Sequence, residues 1–194
     1  MKTKILREFK ESISVKEKFL EGSLDTIIEV AKAIAGTFND GNKLILFGNG
    51  GSATDASHIA AEFVNRFQRE RPGLPAIALN TDMAVITSIA NDYDYSEIFS
   101  KQLKSIASEG DMVIAISTSG NSPNVLKAVE VARKKKLKSV VFTGAKGTKL
   151  ASKATHSFVV PSDSTPRIQE THITLGHVLC LMVEEILFEE PRKK

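Results

Sequence analysis

Five short apolar runs, separated by stretches with helical periodicity, constrain this chain more than any other feature. They are Lys43-Leu44-Ile45-Leu46-Phe47, Pro75-Ala76-Ile77-Ala78-Leu79, Met112-Val113-Ile114-Ala115-Ile116, Ser139-Val140-Val141-Phe142 and Ser157-Phe158-Val159-Val160. None alternates polar with apolar residues, so each reads as a strand covered on both faces. Helical patterns fill 52–67, 83–90, 96–107 and 123–135, and a long one over about 167–188 closes the chain. Strands alternating with helices build a parallel sheet with helices on either side. The expected fold is α/β: a three-layer sandwich around a central, mostly parallel five-stranded sheet, Rossmann-like or flavodoxin-like.

Two helices precede the first strand. Ile5, Phe9, Ile13, Phe19 and Leu20 recur near helical spacing, Gly22-Ser23 interrupts, and Leu24, Ile27, Ile28, Ala31, Ile34, Ala35 and Phe38 form a second set. Asn39-Asp40-Gly41 stops it. The terminal helices are more apolar than one sheet face needs, which predicts packing against copies of the chain. The expected division is a single domain over 1–194, with N-terminal helices over 1–40, an α/β core over 41–163 and a C-terminal helix over 164–190.

Composition narrows the class. With 42% hydrophobic residues, 25% charged residues and a net charge of +3, a chain this long buries roughly 70% of its unfolded surface and is not disordered. No run approaches the ~20 apolar residues of a membrane span, and Met1 to Glu8 lacks the apolar core of a secretory signal. The lone Cys180 excludes an internal disulfide and fits a reducing, cytoplasmic setting. The basic excess gathers in Arg133-Lys134-Lys135-Lys136-Leu137-Lys138 and Arg192-Lys193-Lys194. With 10 Phe, 2 Tyr and no Trp there is no stacking platform for bases. The run reads as a solvated helix end, and neither nucleic acid nor membrane is an expected partner.

In such sheets ligands bind outside the carboxyl ends of the strands. The first strand ends in Phe47-Gly48-Asn49-Gly50-Gly51-Ser52-Ala53, and Gly48-x-Gly50-x-x-Ala53 satisfies a dinucleotide fingerprint. The second strand, however, ends in Ala78-Leu79-Asn80, an amide where a ribose-binding acid belongs, with Asp82 nearby. The local reading is a glycine turn with Ser52 as helix cap and Asp55 completing a capping box. The third strand ends in Ser117-Thr118-Ser119-Gly120-Asn121-Ser122-Pro123, with four hydroxyls ahead of a helix-opening proline. Free amides at a helix start favour an anion, and neutral hydroxyls can wrap one, so this loop reads as a phosphate cradle.

His58 and Glu62 lie one turn apart on one helix face. Gln169 and His177, eight apart, are separated by about 80° around the last helix. Two imidazoles, a carboxylate and an amide oxygen suit a divalent metal such as zinc. Spacing alone does not bring the two helices together.

Gly48-Asn49-Gly50-Gly51-Ser52 with His58-Ile59-Ala60-Ala61-Glu62, then Ile116 to Ser122, then Arg167-Ile168-Gln169-Glu170 with His177, resemble the sedoheptulose 7-phosphate isomerases (phosphoheptose isomerases) of the sugar isomerase (SIS) domain proteins. The likeness also takes in Asn91-Asp92 and Arg71 to Ala78. It implies a SIS fold and conversion of sedoheptulose 7-phosphate into D-glycero-D-manno-heptose 7-phosphate, the first step toward ADP- or GDP-heptose and surface glycans such as lipopolysaccharide. It implies one zinc per subunit held by His58, Glu62, Gln169 and His177, and a homotetramer. Substrate contacts fall to Asn49, Gly50, Gly51, Ser52, Glu62, Asn91, Asp92, Ser117, Thr118, Ser119, Ser122 and Gln169. Glu62 is the implied base and His177 the partner acid. Some members carry an acid just ahead of Arg-Ile-Gln, where this chain has Thr165-Pro166. The alternatives are a non-catalytic SIS regulator that binds a phosphosugar or a replication initiator, and an isomerase of a smaller sugar phosphate. Glu62 and His177 argue for retained chemistry.

Overall fold

The structure is a computed structural model and describes residues 1–188. The basic tail Arg192-Lys193-Lys194 and positions 189–190 of the expected C-terminal segment lie outside the described residues. Two helices open the chain, α1 (Lys2–Glu21) and α2 (Leu24–Asn39), followed by β1 (Leu44–Gly48), α3 (Gly51–Val64), β2 (Ala76–Ala78) and α4 (Met83–Asp92). A 3₁₀ turn (Tyr95–Glu97) leads into α5 (Ile98–Ile106), β3 (Met112–Ser117), α6 (Pro123–Lys134) and β4 (Lys138–Gly144). The short α7 (Thr148–Ala151), β5 (His156–Val160) and the long α8 (Thr165–Phe188) complete it.

All five strands pair in parallel, in the order β2-β1-β3-β4-β5. Alternate side chains enter opposite faces, which is why uninterrupted apolar runs were required. Leu44 and Leu46 of β1, Met112, Ile114 and Ile116 of β3, and Val140 and Phe142 of β4 face α1, α2, α3 and α8. Ile45 and Phe47, Val113 and Ala115, and Val141 face the layer of α5, α6 and α7. The central strands β1 and β3 are buried throughout, while β2 and β5 at the edges are partly exposed. The order is the flavodoxin-like one, and it reverses direction between β1 and β3; that switch point is where a ligand crevice opens.

α3 and α8 run side by side in the same direction. A side chain on Gly51 would collide with Gln169, Gly176 lies under Ile59, and the Phe67 amide bonds to Glu184. One buried ion pair secures this register. Arg71 Nε and Glu184 Oε1 are 2.8 Å apart, both side chains essentially without solvent exposure. The Arg71 guanidinium also donates to the Glu62 and Phe63 carbonyls at the end of α3, each at 2.8 Å. Glu184 accepts the backbone amides of Phe67, Gln68 and Arg69. Arg71 thereby satisfies carbonyls that a helix end leaves unpaired.

The expectation that no segment comes near a membrane span needs correcting. Among the described residues one helix, α8, is long and apolar enough by length and composition to cross a bilayer. It is instead a core helix, packed on α1, α2, α3 and β4, with Glu184 ion-paired inside. The helical patterns over 52–67 and 167–188 appear as 51–64 and 165–188. The short α7, one turn of Thr148–Ala151, is too brief for periodicity to reveal. α1 buries only Val15 and Phe19, leaving Ile5, Leu6, Phe9 and Ile13 exposed.

Burial pushes the Glu184 carboxyl up, but three backbone amides and Arg71 outweigh it and hold the group below its ordinary range. A depressed folded pKa contributes stability that is complete above the unfolded value of about 4.3 and is lost as pH falls toward the folded value. Glu184→Gln is expected to cost about 3–5 kcal/mol of unfolding free energy at pH 7, because it leaves the Arg71 charge buried and uncompensated. Urea titrations should show the gap between variant and parent closing as pH drops below about 4.

Candidate active site

The loop after β1 reaches the crevice through its glycines. Gly50 adopts φ +56° and stands at the cap position of α3, which starts at Gly51. The expected capping box is therefore wrong: Ser52 lies inside the first turn, buried, and no side chain caps the helix. Asp55 carries a buried oxygen with no hydrogen-bond partner. Burial pushes its carboxyl up to about 6, offset in part by His58 one turn further on. The Gln169 amide packs directly over the Gly51 Cα, and a side chain at Gly51 would displace it. Asn49 bonds to Asn124 and to the Tyr95 hydroxyl.

The dinucleotide alternative finds no support in the residues that would serve it. Asn80 donates to the Ala53 carbonyl at 2.9 Å and to Ser57 Oγ at 2.7 Å, so its amide is tied to α3. Asp82 is the cap of α4, accepting from the Val85 amide at 3.1 Å.

After β3, the hydroxyl loop curls around the start of α6. Gly120, at φ +62°, sits so close to the Gly147 backbone that a Cβ would collide with it. Ser122 occupies the cap position, yet its hydroxyl caps nothing; Ser117 Oγ lies 3.2 Å away instead. Ser119 Oγ accepts the Asn121 amide at 3.2 Å. Since the helix does not consume these hydroxyls, they are free to meet a ligand at the positive end of α6. A small cavity of about 100 Å³ is lined here by Thr118, Ser119, Lys146, Ser162, Asp163 and Thr165. Lys146 and Asp163 pair across it at 3.2 Å. Asp163 stands two residues ahead of Thr165-Pro166, where its carboxylate is paired with Lys146. The lysine run 133–138 ends α6 and enters β4 at the amino ends of the strands, the opposite edge of the sheet.

The two-helix cluster that spacing left open does form. Ligand atoms of His58, Glu62 and His177 all lie within 4.8 Å of one another. His58 Nε2 and Glu62 Oε1 are 3.2 Å apart, against about 3.3 Å for the edge of a tetrahedron with metal bonds near 2 Å. The His58 and His177 rings are 5.0 Å apart, and Phe67 stacks on His177 at 5.6 Å. The donor set thus fits a divalent cation. Gln169 lies on the same α3–α8 interface, its amide packed over Gly51 at the start of α3. Cys180 is not among the residues whose ligand atoms converge; burial, then the charge of Glu62, pushes its thiol up.

Asn91 and Asp92 are exposed at the end of α4, and Asn91 donates to Asp92 at 2.9 Å. The same segment reaches the site three residues later, through Tyr95. Sequence reasoning missed Tyr95 and Asn124; no local pattern distinguishes them. Arg167 of the motif is structural, joining α8 to α1 through the Glu8 carbonyl at 2.8 Å and to Glu170 at 2.6 Å.

If the cluster holds a metal, protein dialysed against zinc should retain it, and His58→Ala/His177→Ala should retain only background amounts by elemental analysis. Equal retention would place any bound ion elsewhere.

The SIS domain family model matches residues 9–144. The chain is 66% identical over 191 residues to a phosphoheptose isomerase of Thermodesulfovibrio yellowstonii, covering 98% of this chain and 95% of that protein. It is 50% identical over 189 residues to one of Aquifex aeolicus, covering 97% and 99%. The solved phosphoheptose isomerase of Francisella tularensis superimposes with a TM-score of 0.90 at 37% identity, covering 94% and 97%. That of Neisseria gonorrhoeae gives 0.89 at 35%, covering 95% and 98%. With its parallel sheet, its paired loops at the switch point and relatives matched from end to end, the chain belongs to the phosphoheptose isomerases of the SIS domain family.

Proposed function

We propose that this chain is an isomerase that converts sedoheptulose 7-phosphate into D-glycero-D-manno-heptose 7-phosphate, the reaction that feeds nucleotide-heptose synthesis. One observation carries the reading: the 66% identity to a phosphoheptose isomerase over nearly the full length of both chains. The geometry supports a matching chemistry. The hydroxyls of Ser117, Thr118, Ser119 and Ser122 hold the phosphate at the start of α6, and Asn49 to Ser52 hold the sugar. Asn91 and Asp92, exposed at the end of α4, complete the sugar contacts in this reading.

Glu62 removes the proton from the carbon beside the ketose carbonyl, and His177 delivers a proton to the carbonyl oxygen, leaving an enediol. Glu62 then returns the proton to the neighbouring carbon, while the hydroxyl on the first carbon gives its proton back to His177 and becomes the aldehyde. No net oxidation occurs. His58, Glu62, Gln169 and His177 would hold zinc, which when bound polarises oxygen and stabilises negative charge on it. The regulator alternative is not favoured, because Glu62 and His177 are present and close together.

The assembly in this reading is a homotetramer, supported by the apolar stripe of α1 that no part of the described chain covers. A cytoplasmic setting is supported by the single, unpaired Cys180.

Incubation of the purified protein with sedoheptulose 7-phosphate should yield the aldose by NMR. Glu62→Gln should lower kcat by about 10²–10⁴-fold while substrate still binds; full turnover would remove Glu62 from the base role. Ser119→Ala and Ser122→Ala should each raise KM about 10-fold or more. An unchanged KM would mean that the phosphate sits elsewhere.

A further inference from the structure

Asn49 and Asn124 clasp each other across the switch point. Asn49 Nδ2 donates to Asn124 Oδ1 at 2.9 Å, and Asn124 Nδ2 donates to Asn49 Oδ1 at 2.8 Å. Amide orientation normally has to be inferred from partners, and here a single partner decides it. The backbone N–H of Val125 lies 2.9 Å from Asn124 Oδ1, and a backbone N–H can only donate. The atom it meets is therefore the oxygen. The Asn124 nitrogen must then face Asn49, which turns its own oxygen toward that nitrogen.

Tyr95 completes the count. Its hydroxyl lies 3.1 Å from the same Asn49 oxygen, which already accepts from Asn124. An amide oxygen has two lone pairs and an amide nitrogen two hydrogens. Both lone pairs of Asn49 are occupied and one hydrogen is given to Asn124. A single N–H is left. Asn49, Tyr95, Ser122, Pro123 and Asn124 line one cavity of about 430 Å³. Asn124 is 2% exposed, in the first turn of the helix that follows the hydroxyl loop.

We propose that Asn124 and Tyr95 are positioning residues that present Asn49 to the sugar as a pure hydrogen-bond donor, aimed at an acceptor oxygen of the substrate. Because Asn124 opens α6, the clasp also ties the sugar-side loop after β1 to the phosphate-side loop after β3. The distance between the two ends of the substrate is then matched by the protein rather than left to two independent loops. Neither residue touches the reacting carbons; both act through Asn49. The proposal rests on the isomerase reading, in which Asn49 contacts the sugar.

A double-mutant cycle tests it with the full-length, zinc-supplemented protein and sedoheptulose 7-phosphate. Asn124→Ala should lower kcat/KM about 10- to 100-fold and Tyr95→Phe about 3- to 10-fold. In an Asn49→Ala background each should change it less than 2-fold, because the side chain they orient is gone. Asn124→Asp should not rescue, since a carboxylate keeps both acceptor contacts but cannot donate to the Asn49 oxygen. Multiplicative losses in the double variants, or a wild-type rate for Tyr95→Phe, would overturn the proposal. If Asn124→Ala does not fold, the Tyr95 arm decides alone, because Tyr95 is 56% exposed and Phe keeps the ring. Where turnover is too slow to measure, the same cycle is read in the Kd for sedoheptulose 7-phosphate by calorimetry. A wild-type chain that binds the sugar but does not isomerise it would defeat the isomerase reading while leaving this cycle decisive.

Discussion

The buried pair of Arg71 and Glu184 is the constraint on which the site depends. Two charges without solvent are costly unless their polar atoms find partners, and here every guanidinium nitrogen and both carboxylate oxygens have one. The guanidinium closes the carbonyl end of α3, and the carboxylate gathers the amides of the turn that follows. The pair therefore joins the end of α3 to α8 at one register only. Because the two helices run in the same direction, fixing that end places His58 and Glu62 of one beside His177 of the other. The glycines complete the approach: Gly176 admits Ile59, and Gly51 admits Gln169. A metal-ligating set drawn from two helices needs such a brace, since neither helix alone has the ligands.

The second organising fact is the reversal of strand order between β1 and β3. It leaves the β1–α3 and β3–α6 loops diverging to opposite faces with a crevice between them. An anion at that crevice meets free hydroxyls and the start of α6, with no lysine of the basic run within its reach. That run lies at the other end of α6, where positive side chains complement the negative end of the helix dipole. The basic run and the hydroxyl loop proposed to hold the phosphate thus lie at opposite edges of the sheet.

The layered fold was legible because burial on both faces leaves no freedom in strand composition. Leu44 to Phe47 and Met112 to Ile116 have no polar residue, and the structure buries every one of them. The hydroxyl loop was legible for a related reason: four hydroxyls exceed what one helix cap consumes. Errors arose where a local motif had two possible geometries. Ser52 and Asp55 have capping-box spacing, but Gly50, at positive φ, takes the cap position two residues earlier and leaves Ser52 buried inside the first turn.

The sequence by itself determined the strands, the parallel α/β class, the two loops at the switch point and the residue types able to hold phosphate and metal. Those follow from periodicity and from the chemistry of single side chains, which short stretches of chain carry whole. Only the tertiary structure decided that α3 and α8 lie in parallel register, that Arg71 and Glu184 meet across 113 residues, and that Tyr95 and Asn124 converge on Asn49. Each of these is a contact between segments far apart in the chain, and its existence depends on the packing of everything between them.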